Sequence, residues 1–376
     1  MDKNEIFQML GGLVALGIFV LLNQMGVFQP GGGKAALESV ANWWQANAVW
    51  VYVGLGVFNV LIFSFVGIRA WRARRKQAAL DARVMAGQTI FLLPRSDWKA
   101  VDPAKVEVWG RVADALPHDE HISFEVGGSD TELYFALRGS EDGLRAAMTQ
   151  IKSEWVGVQR RPVTEDPAAV PQDWHIHWVE LCPQDWKEPI QALSNDPLRS
   201  LLVDMNAVVG RGRGMVQVIA RNDFGTRAKL GRSAFAARAE VVKNAGVRAL
   251  RTKEARGLEE RAERTFLQVT LRCVGIADSE TRAQGIARGL ARAVSASYGH
   301  RNPVRAVKAG KDPRPVLERR MGKFQPWADN ELATLAHLTG GDMLFVAPRL
   351  KTASAKSLAP DTEMRVVPQD VTARFL

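Results

Sequence analysis

Two long runs of apolar residues dominate the start of the chain, at positions 6–28 and 49–68. Each run is close to the roughly 20 residues that a helix needs to cross about 30 Å of hydrocarbon. Aromatic residues of the kind found at membrane interfaces flank the second run; they are Trp43, Trp44, Trp50, Tyr52 and Trp71. The pattern predicts a transmembrane helical hairpin over residues 1–71, with its two spans joined by a loop at 29–48.

Lys and Arg residues are unevenly distributed about this hairpin, and they predict its orientation. A basic helical linker over residues 72–86 follows the second span, and its membrane-flanking cations are Arg72, Arg74, Arg75 and Lys76. The loop between the spans carries only Lys34. Because basic residues are enriched on the cytoplasmic side of membranes, both ends of the chain are predicted to be cytoplasmic. The linker cations are also suited to binding anionic membrane lipid.

After residue 86 the pattern changes to short strands and amphipathic helices. Residues 87–165 predict a strand, a helix, a β-hairpin, a second helix and a final strand, which is the order of a ferredoxin-like split βαβ unit. A similar order recurs over residues 172–310, where a basic insertion at 221–264 interrupts it. The predicted fold class is therefore α+β, with two N-terminal transmembrane helices followed by two ferredoxin-like split βαβ units. Residues 311–376 form a C-terminal segment with one short predicted helix.

The whole chain is strongly basic, with a formal net charge of +10 and a pI near 9.8. Such a charge favours a negatively charged partner, either nucleic acid or an anionic membrane surface. It is equally typical of a membrane-proximal cytoplasmic domain that binds neither. The two cysteines, Cys182 and Cys273, lack CxxC spacing. They fit a reducing compartment and argue against a disulfide framework or a zinc ribbon.

Candidate contacts to DNA phosphates come from the insertion and from the Gly-Arg run that precedes it. They are Arg211, Arg213, Arg227, Lys229, Arg232, Arg238 and Lys243. The insertion has three interpretations: a basic arm that follows phosphates, a helical hairpin that packs on a neighbouring subunit, or a solvated helix laced by ion pairs. Glu259, Glu260 and Glu263, which neighbour arginines, favour the last of these. The interleaved aromatic residues, Phe224 and Phe235, are too few for a stacking platform.

No catalytic motif is recognisable in the sequence. A Walker A loop, GxxxxGK[ST], is absent. The run Gly210–Gly214 follows a predicted helix and precedes a strand, the reverse of what a phosphate loop requires, so we interpret it as a helix stop and a tight turn. His175 and His177 lie on one strand without a third metal ligand, and 118–121 is predicted to be a solvated loop. The sequence therefore predicts a protein that is not an enzyme, with no catalytic residue, metal ligand or cofactor.

The most specific stretch of the sequence is Phe324–Leu338, which contains DNELATLAHL. It is similar to a D/T-x-E-L-A-T-L-x-H-L stretch just before the ATPase domain of HerA/FtsK-like conjugative coupling ATPases of type IV secretion systems. The other fragments that carry the resemblance do so by pattern and order. They are Thr89–Pro94 followed by the helix Val106–Leu116, Trp186 with Asp196–Met205, and Glu259–Val274 followed by a long helix.

The resemblance implies a non-catalytic scaffold in a bacterial plasma membrane that anchors and assembles a ring ATPase for DNA transfer. The P-loop motor is then expected beyond residue 376 or in a partner chain, and the chain is expected to form a homo-oligomer, with a hexamer suggested by ring motors. The alternative is a stand-alone, membrane-tethered nucleic-acid-binding protein, which predicts salt-dependent DNA affinity. A membrane enzyme with an unrecognised site is the third interpretation.

Overall fold

The structure, a computed structural model, describes residues 33–353 apart from residues 86, 99–106, 118–119, 164, 194–195, 209, 244–247 and 340. The chain divides into two units, Met1–Lys76 and Gln77–Leu376. The first predicted span, at 6–28, lies outside the described residues.

A single continuous helix, α1, occupies Gly33–Met85. It includes the predicted second span at 49–68 and the predicted helical linker as far as Met85. The loop predicted at 29–48 is wrong from Gly33 onward, because this part of the chain is helical. Ala is frequent between 33 and 48 and proline is absent there, which favours helix over loop.

One segment of α1 has the length and composition of a membrane span. It is Gly56–Arg75, with 20 residues and a mean hydropathy of 1.2, and its side chains are not buried. It begins later than the predicted span at 49–68 and is the one such candidate among the residues that the structure describes.

We call the second unit, Gln77–Leu376, the body. Its first half contains the predicted order of strand, helix, hairpin, helix and strand. Its elements are β1 (Gln88–Leu93), α2 (Val108–Ala115), β2 (His121–Gly128), β3 (Leu133–Gly139), α3 (Glu141–Glu154) and β4 (Gln159–Pro162). The hydroxyl of Ser140 accepts a hydrogen bond from the Gly143 amide and caps α3. The strands pair antiparallel in the spatial order β4-β1-β3-β2.

The second half repeats this arrangement around the basic insertion. Its elements are β5 (His175–Pro183), α4 (Pro197–Asn206), β6 (Gly212–Asn222), α5 (Thr226–Lys243), α6 (Arg248–Ala262), β7 (Phe266–Ala277), α7 (Glu280–Ala296) and β8 (Val304–Gly310). The spatial strand order is β6-β7-β5-β8, again antiparallel. The insertion forms α5 and α6, which pack against each other as a helical hairpin.

The two halves share one sheet, because β2 pairs with β6 along its whole length, from His121 opposite Arg221 to Gly128 opposite Gly214. The C-terminal elements are α8 (Arg314–Leu317), β9 (Gln325–Ala328), α9 (Asp329–Ala333) and a 3-10 helix (Gly341–Phe345). Strand β9 pairs with the first residues of β7. The body is therefore a mixed α+β fold built on a large antiparallel sheet of nine strands.

Strand residues alternate between the two faces of this sheet. On β2, Ile122, Phe124 and Val126 enter the main hydrophobic core, over which α3, α4 and α7 contact the sheet. The rings of Trp109 on α2 and Phe124 meet edge to face, with centroids 5.8 Å apart. Fully burying one such side chain contributes roughly 1.5–3 kcal/mol. The opposite face carries polar residues, which form the candidate site described below.

A glycine allows α7 to lie close to β7. A Cβ added at Gly275 would overlap the carbonyl oxygen of Ala283 and lie 2.8 Å from the amide nitrogen of Ala287. Gly275→Ala is therefore expected to destabilise the protein by about 1–3 kcal/mol, because the helix backbone must move. Denaturant unfolding followed by tryptophan fluorescence measures this loss.

Gly285→Ala provides a matched control on the exposed side of the same helix. An added Cβ there meets nothing within 4 Å, so this variant is expected to be neutral or stabilised by up to about 1 kcal/mol. Equal stability of the two variants would contradict the close packing of α7 on β7.

Candidate functional site

The predicted phosphate contacts lie in two separate places. Arg211 and Arg213 lie at the start of β6, whereas the other five lie in α5, which follows the end of that strand. Strand β6 has 11 residues, and at about 3.3 Å per residue it separates the two groups by roughly 35 Å. The structure therefore does not bring all seven residues together into one surface.

The Gly-Arg run, Gly210–Gly214, contacts helix α7 on one face of the sheet and the ring of Trp174 on the other. A Cβ at Gly212 would lie 3.0 Å from Ile286, and one at Gly214 would lie 3.2 Å from Leu290, so these glycines allow α7 to approach. The guanidinium groups of Arg211 and Arg213 lie 6.0 and 5.7 Å from the ring centroid of Trp174. Gly210 has a φ of +67°, in keeping with the predicted tight turn.

The α5–α6 hairpin is laced by exposed ion pairs, as the arrangement of its glutamates predicts. Arg238 donates two hydrogen bonds of 2.6 Å to Glu259, and Arg256 lies 2.8 Å from Glu260. Arg251, likewise, lies 2.8 Å from Glu240. Exposed pairs of this kind contribute little to stability, but they neutralise the cations that take part in them. Arg238, a predicted phosphate contact, is thus already held by a carboxylate.

Two of the predicted cations on α5 keep an uncompensated charge. Lys229 and Arg232 are exposed, and neither forms an ion pair with the residues that the structure describes. Arg227 donates from Nε to the carbonyl oxygen of Ala262, 3.1 Å away. The side chain of Lys243 lies outside the described residues. On α6, Lys253 is exposed and likewise forms no ion pair with the described residues, so free positive charge is present on both helices of the hairpin.

The base of the hairpin is fixed to the body by a buried ion pair. Arg261 donates two hydrogen bonds to Glu331, and both side chains are at most 6% exposed. Glu331 Oε1 also accepts from the amide of Ile190 at 2.9 Å, and its Oε2 accepts from the amide of Ala328 at 2.8 Å. Glu331 belongs to the stretch that resembles the coupling ATPases. In this chain it joins the hairpin, the loop after β5 and the C-terminal segment.

The face of the sheet opposite the main core holds a chain of buried charges that the sequence analysis did not identify. It contains three guanidinium groups and three carboxylates, which are Arg138, Arg272, Arg319, Glu125, Asp166 and Glu180. The chain is electrically balanced. A buried charge without such a partner is strongly destabilising.

Arg319 is the centre of this buried charge chain. Its side chain is fully buried, and it donates from Nε to Glu125 Oε1 at 2.7 Å and from Nη2 to Asp166 Oδ1 at 2.6 Å. Gln217 on β6 donates to Glu125 at 3.2 Å and accepts from Arg272 at 3.3 Å. Arg272 in turn lies 2.8 Å from Glu180. The chain therefore crosses the β2–β6 junction and connects the two halves of the sheet.

The surroundings of these groups shift their pKa values in opposite directions. Burial alone would lower the pKa of Arg319, but Glu125 and Asp166 outweigh it and raise that pKa above its ordinary value. Burial lowers the pKa of Arg272, although Glu180 opposes this shift. For Asp166, burial would raise the pKa, but the hydrogen bonds from Arg319 lower it.

The same groups hold residues 311–324, which we call the covering segment, onto the sheet. Arg272 donates to the carbonyl oxygen of Pro315 at 2.7 Å and to that of Arg320 at 2.8 Å. The amide of Lys323 donates to Glu180 at 3.2 Å, and Trp178 donates to the carbonyl oxygen of Asp312 at 2.9 Å. The covering segment is thus hydrogen-bonded to the sheet at several points along its length, and the buried Arg272 and Glu180 supply most of these bonds.

The histidines do not form a metal site among the described residues. No group of three or more potential His, Cys, Asp or Glu ligands is present there. Both ring nitrogens of His177 are buried without a hydrogen-bond partner, and burial lowers its pKa. His118 and Asp119 lie outside the described residues. The solvated loop predicted at 118–121 is wrong for Glu120 and His121, which are buried; burial lowers the pKa of His121 to about 4.

A shallow groove of about 340 Å³ lies between α4 and α7. Asp204 and Arg282 are its charged residues, and Gly285, Gly289 and other small or apolar residues form the rest of its lining. Burial raises the pKa of both cysteine thiols, that of Cys182 to about 11, which disfavours the reactive thiolate form.

Comparison with known proteins leaves the family open. The chain matches no protein-family model and no curated protein. The resemblance of Phe324–Leu338 to coupling ATPases therefore rests on the residues of that stretch and on the order of the other fragments.

Proposed function

We propose that this chain is a non-catalytic, membrane-anchored scaffold of a conjugative DNA-transfer complex of the type IV secretion class. In this proposal it anchors and assembles a ring ATPase, whose P-loop motor is supplied by a longer form of the chain or by a partner. The helix α1, with its candidate span Gly56–Arg75 and the basic residues at its end, supports membrane anchoring.

The attachment of the C-terminal segment is the observation that carries the proposal. In coupling ATPases, the stretch that Phe324–Leu338 resembles sits just before the motor. In this chain the residues before and within that stretch are held by buried groups, with Arg319 on Glu125 and Glu331 on Arg261. A scaffold that positions a motor needs the segment leading to that motor to be held rigidly, because a flexible connection would let the motor move independently of its anchor.

The body of the proposed scaffold consists of two ferredoxin-like split βαβ units joined edge to edge. The strand orders β4-β1-β3-β2 and β6-β7-β5-β8 support this architecture. Together with the apolar run at 6–28, the candidate span in α1 supports two transmembrane helices with both chain ends in the cytoplasm of a bacterium. A homo-oligomer, with a hexamer as the expected ring, follows from the resemblance alone.

Affinity purification of the tagged full-length protein from its native membrane, followed by mass spectrometry, tests this function. Recovery of a P-loop ATPase, or of a longer form of this chain that carries one, is the expected result. Recovery without any ATPase, together with DNA binding whose affinity falls steeply with salt, would instead support the stand-alone nucleic-acid-binding protein.

A further inference from the structure

We propose that the free edge of β8 binds an extended, acidic segment of a partner protein, which adds to the sheet as a further strand. The binding surface consists of β8 together with the side chain of Lys323, and we call it the edge surface. The inference goes beyond the proposed scaffold function, because it assigns a separate binding surface and the chemistry of the partner that fits it.

Strand β8 ends the sheet with one side open. It pairs with β5, and with no other strand among the residues that the structure describes. Its residues from Arg305 to Ala309 are all exposed. An open edge presents backbone N–H and C=O groups, onto which an extended peptide can add as another strand. The main chain of β8 thus supplies hydrogen-bonding groups for a partner strand.

Two cations of β8 lie on the same face of the sheet. Arg305 pairs with Cys182 and Lys308 pairs with Glu180, and residues two apart on β5 share a face. This face is the one under the covering segment, since the ammonium nitrogen of Lys308 lies 5.5 Å from the ring centroid of Trp178 there. A bulge in β8 between the two pairs brings both cations to this face.

A third cation reaches this face from the covering segment. The amide of Lys323 donates to Glu180 at 3.2 Å, and its carbonyl oxygen accepts from the thiol of Cys182 at 3.7 Å. Lys323 therefore lies over the same two residues of β5 that pair with Lys308 and Arg305. All three cations are exposed, and none forms an ion pair within the described part of the chain.

The carboxylates around the edge surface are held by other groups. Glu180 is buried and bound to Arg272. Asp185, beyond the end of β5, accepts a hydrogen bond from the amide of Lys187 and leaves the surface net positive. The remaining carboxylates of the surrounding segments form ion pairs, which are Glu188 with Arg301, Glu280 with Lys311, Asp312 with Arg314 and Glu318 with Arg320.

The opposite face of β8 is small and apolar. Ala306 pairs with Leu181 and Ala309 pairs with Val179, and both of these β5 residues belong to the main hydrophobic core. An added strand would therefore meet cations on one face and small apolar side chains on the other. Because strand side chains alternate between faces, the segment that fits alternates acidic and apolar residues.

A second copy of this chain fits the edge surface less well. Two β8 strands paired antiparallel would bring their arginines and lysines to one face, and like charges across a strand pair are destabilising. The strand at the other end of the sheet, β4, contains Arg160 and Arg161, so it offers no carboxylate either. Basic edge strands reject contacts of this kind. An acidic strand gains from the same charges.

Peptide binding to the full-length protein in phosphatidylcholine nanodiscs tests the inference. The probe is a short fluorescein-labelled peptide in which glutamate alternates with valine, and fluorescence anisotropy measures its binding. We expect this peptide to bind and a peptide with lysine in place of glutamate not to bind. An N-methylated copy of the acidic peptide lacks the backbone donors that strand addition uses, and it is expected to bind about tenfold more weakly or worse.

Charge-reversal variants show whether the peptide binds at the edge surface. Arg305→Glu with Lys308→Glu should weaken binding about tenfold or more, since attraction becomes repulsion. The matched control is Arg288→Glu with Arg292→Glu, because both arginines are exposed on α7, which packs on the other face of the sheet. This control should change binding less than about twofold, because salt screens distant charges. Equal unfolding midpoints verify that both variants fold.

The results that overturn the inference can be told apart. Failure of the acidic peptide to bind the parent protein rejects the edge surface as its docking site. Binding that survives N-methylation reduces the contact to charge attraction, and displacement of that peptide by double-stranded DNA then assigns the cations to phosphate. Equal weakening by the two double variants shows that the peptide responds to net charge and not to β8. The scaffold function stands in each case, because it is tested by recovery of an ATPase.

Discussion

Arg319→Met is expected to destabilise the protein by about 3–5 kcal/mol, because it removes one partner of a buried ion pair and leaves the others uncompensated. Arg319 is fully buried and is bound to both Glu125 and Asp166. Methionine fills much of the same volume, so the loss comes mainly from the fully buried Glu125, which loses its guanidinium partner, whereas Asp166 keeps Arg138 at 3.4 Å. Urea unfolding of the full-length protein in detergent, followed by tryptophan fluorescence, measures the effect.

Two further variants show whether the loss belongs to the buried charges. Arg256→Met breaks an exposed pair with Glu260 and is expected to change stability only slightly. Adding Glu125→Gln to Arg319→Met removes one stranded carboxylate and should restore part of the lost stability. A loss from Arg319→Met no larger than that from Arg256→Met would show that the charge chain does not hold the covering segment.

The sequence predicted Glu125, Glu180 and Arg272 as strand residues but gave no indication that both faces of these strands are buried. Glu125 lies between Phe124 and Val126, and Glu180 lies between Val179 and Leu181, so the alternation predicts one apolar and one polar face. A polar face normally meets water. Here residues 311–324, far away in the sequence, cover it, and local periodicity cannot report such coverage. The one available signal was the presence of balancing charges, such as Glu180 and Arg272, within separate strands.

Local sequence signals predicted the helices and strands better than they predicted which strands pair with each other. Ser140 marks the start of α3, and the alternation of apolar and polar residues identifies β2 and β3 as the strands of a hairpin. The junction of β2 with β6 was not predictable, because each of the two units is complete in its own order and nothing local specifies which edges meet. Strand β9 contains Pro326 and was not predicted either. It forms where the start of β7 offers an open edge.

The predicted hairpin cations show the same division between composition and environment. Composition identified the basic insertion and its glutamates, and the structure contains the expected helical ion pairs. Which cations remain free depends on the packing of α5 against α6, which composition does not specify. Arg238 is neutralised by Glu259, whereas Lys229, a few residues earlier on the same helix, is not.

Glu331→Gln is expected to loosen the α5–α6 hairpin and to cost about 3 kcal/mol or more, since Arg261 then remains as a buried guanidinium without a carboxylate. The amide of glutamine retains one acceptor oxygen, so it cannot serve both Arg261 and the backbone amides of Ile190 and Ala328. Hydrogen exchange followed by mass spectrometry measures this effect. Relative to the parent protein, the variant should exchange faster in peptides from the hairpin, and the increase should be smaller in peptides from β7.

The control for this variant is Glu259→Gln, which breaks an exposed pair with Arg238 near the end of α6. It removes the same charge from the same hairpin, yet its partner stays in water, so exchange at the hairpin base should change little. Equal exchange in both variants would mean that the hairpin is held by Leu230, Leu258 and their apolar neighbours alone. Faster exchange with Glu331→Gln alone would show that Glu331 attaches the hairpin to the segment that we propose leads to the motor.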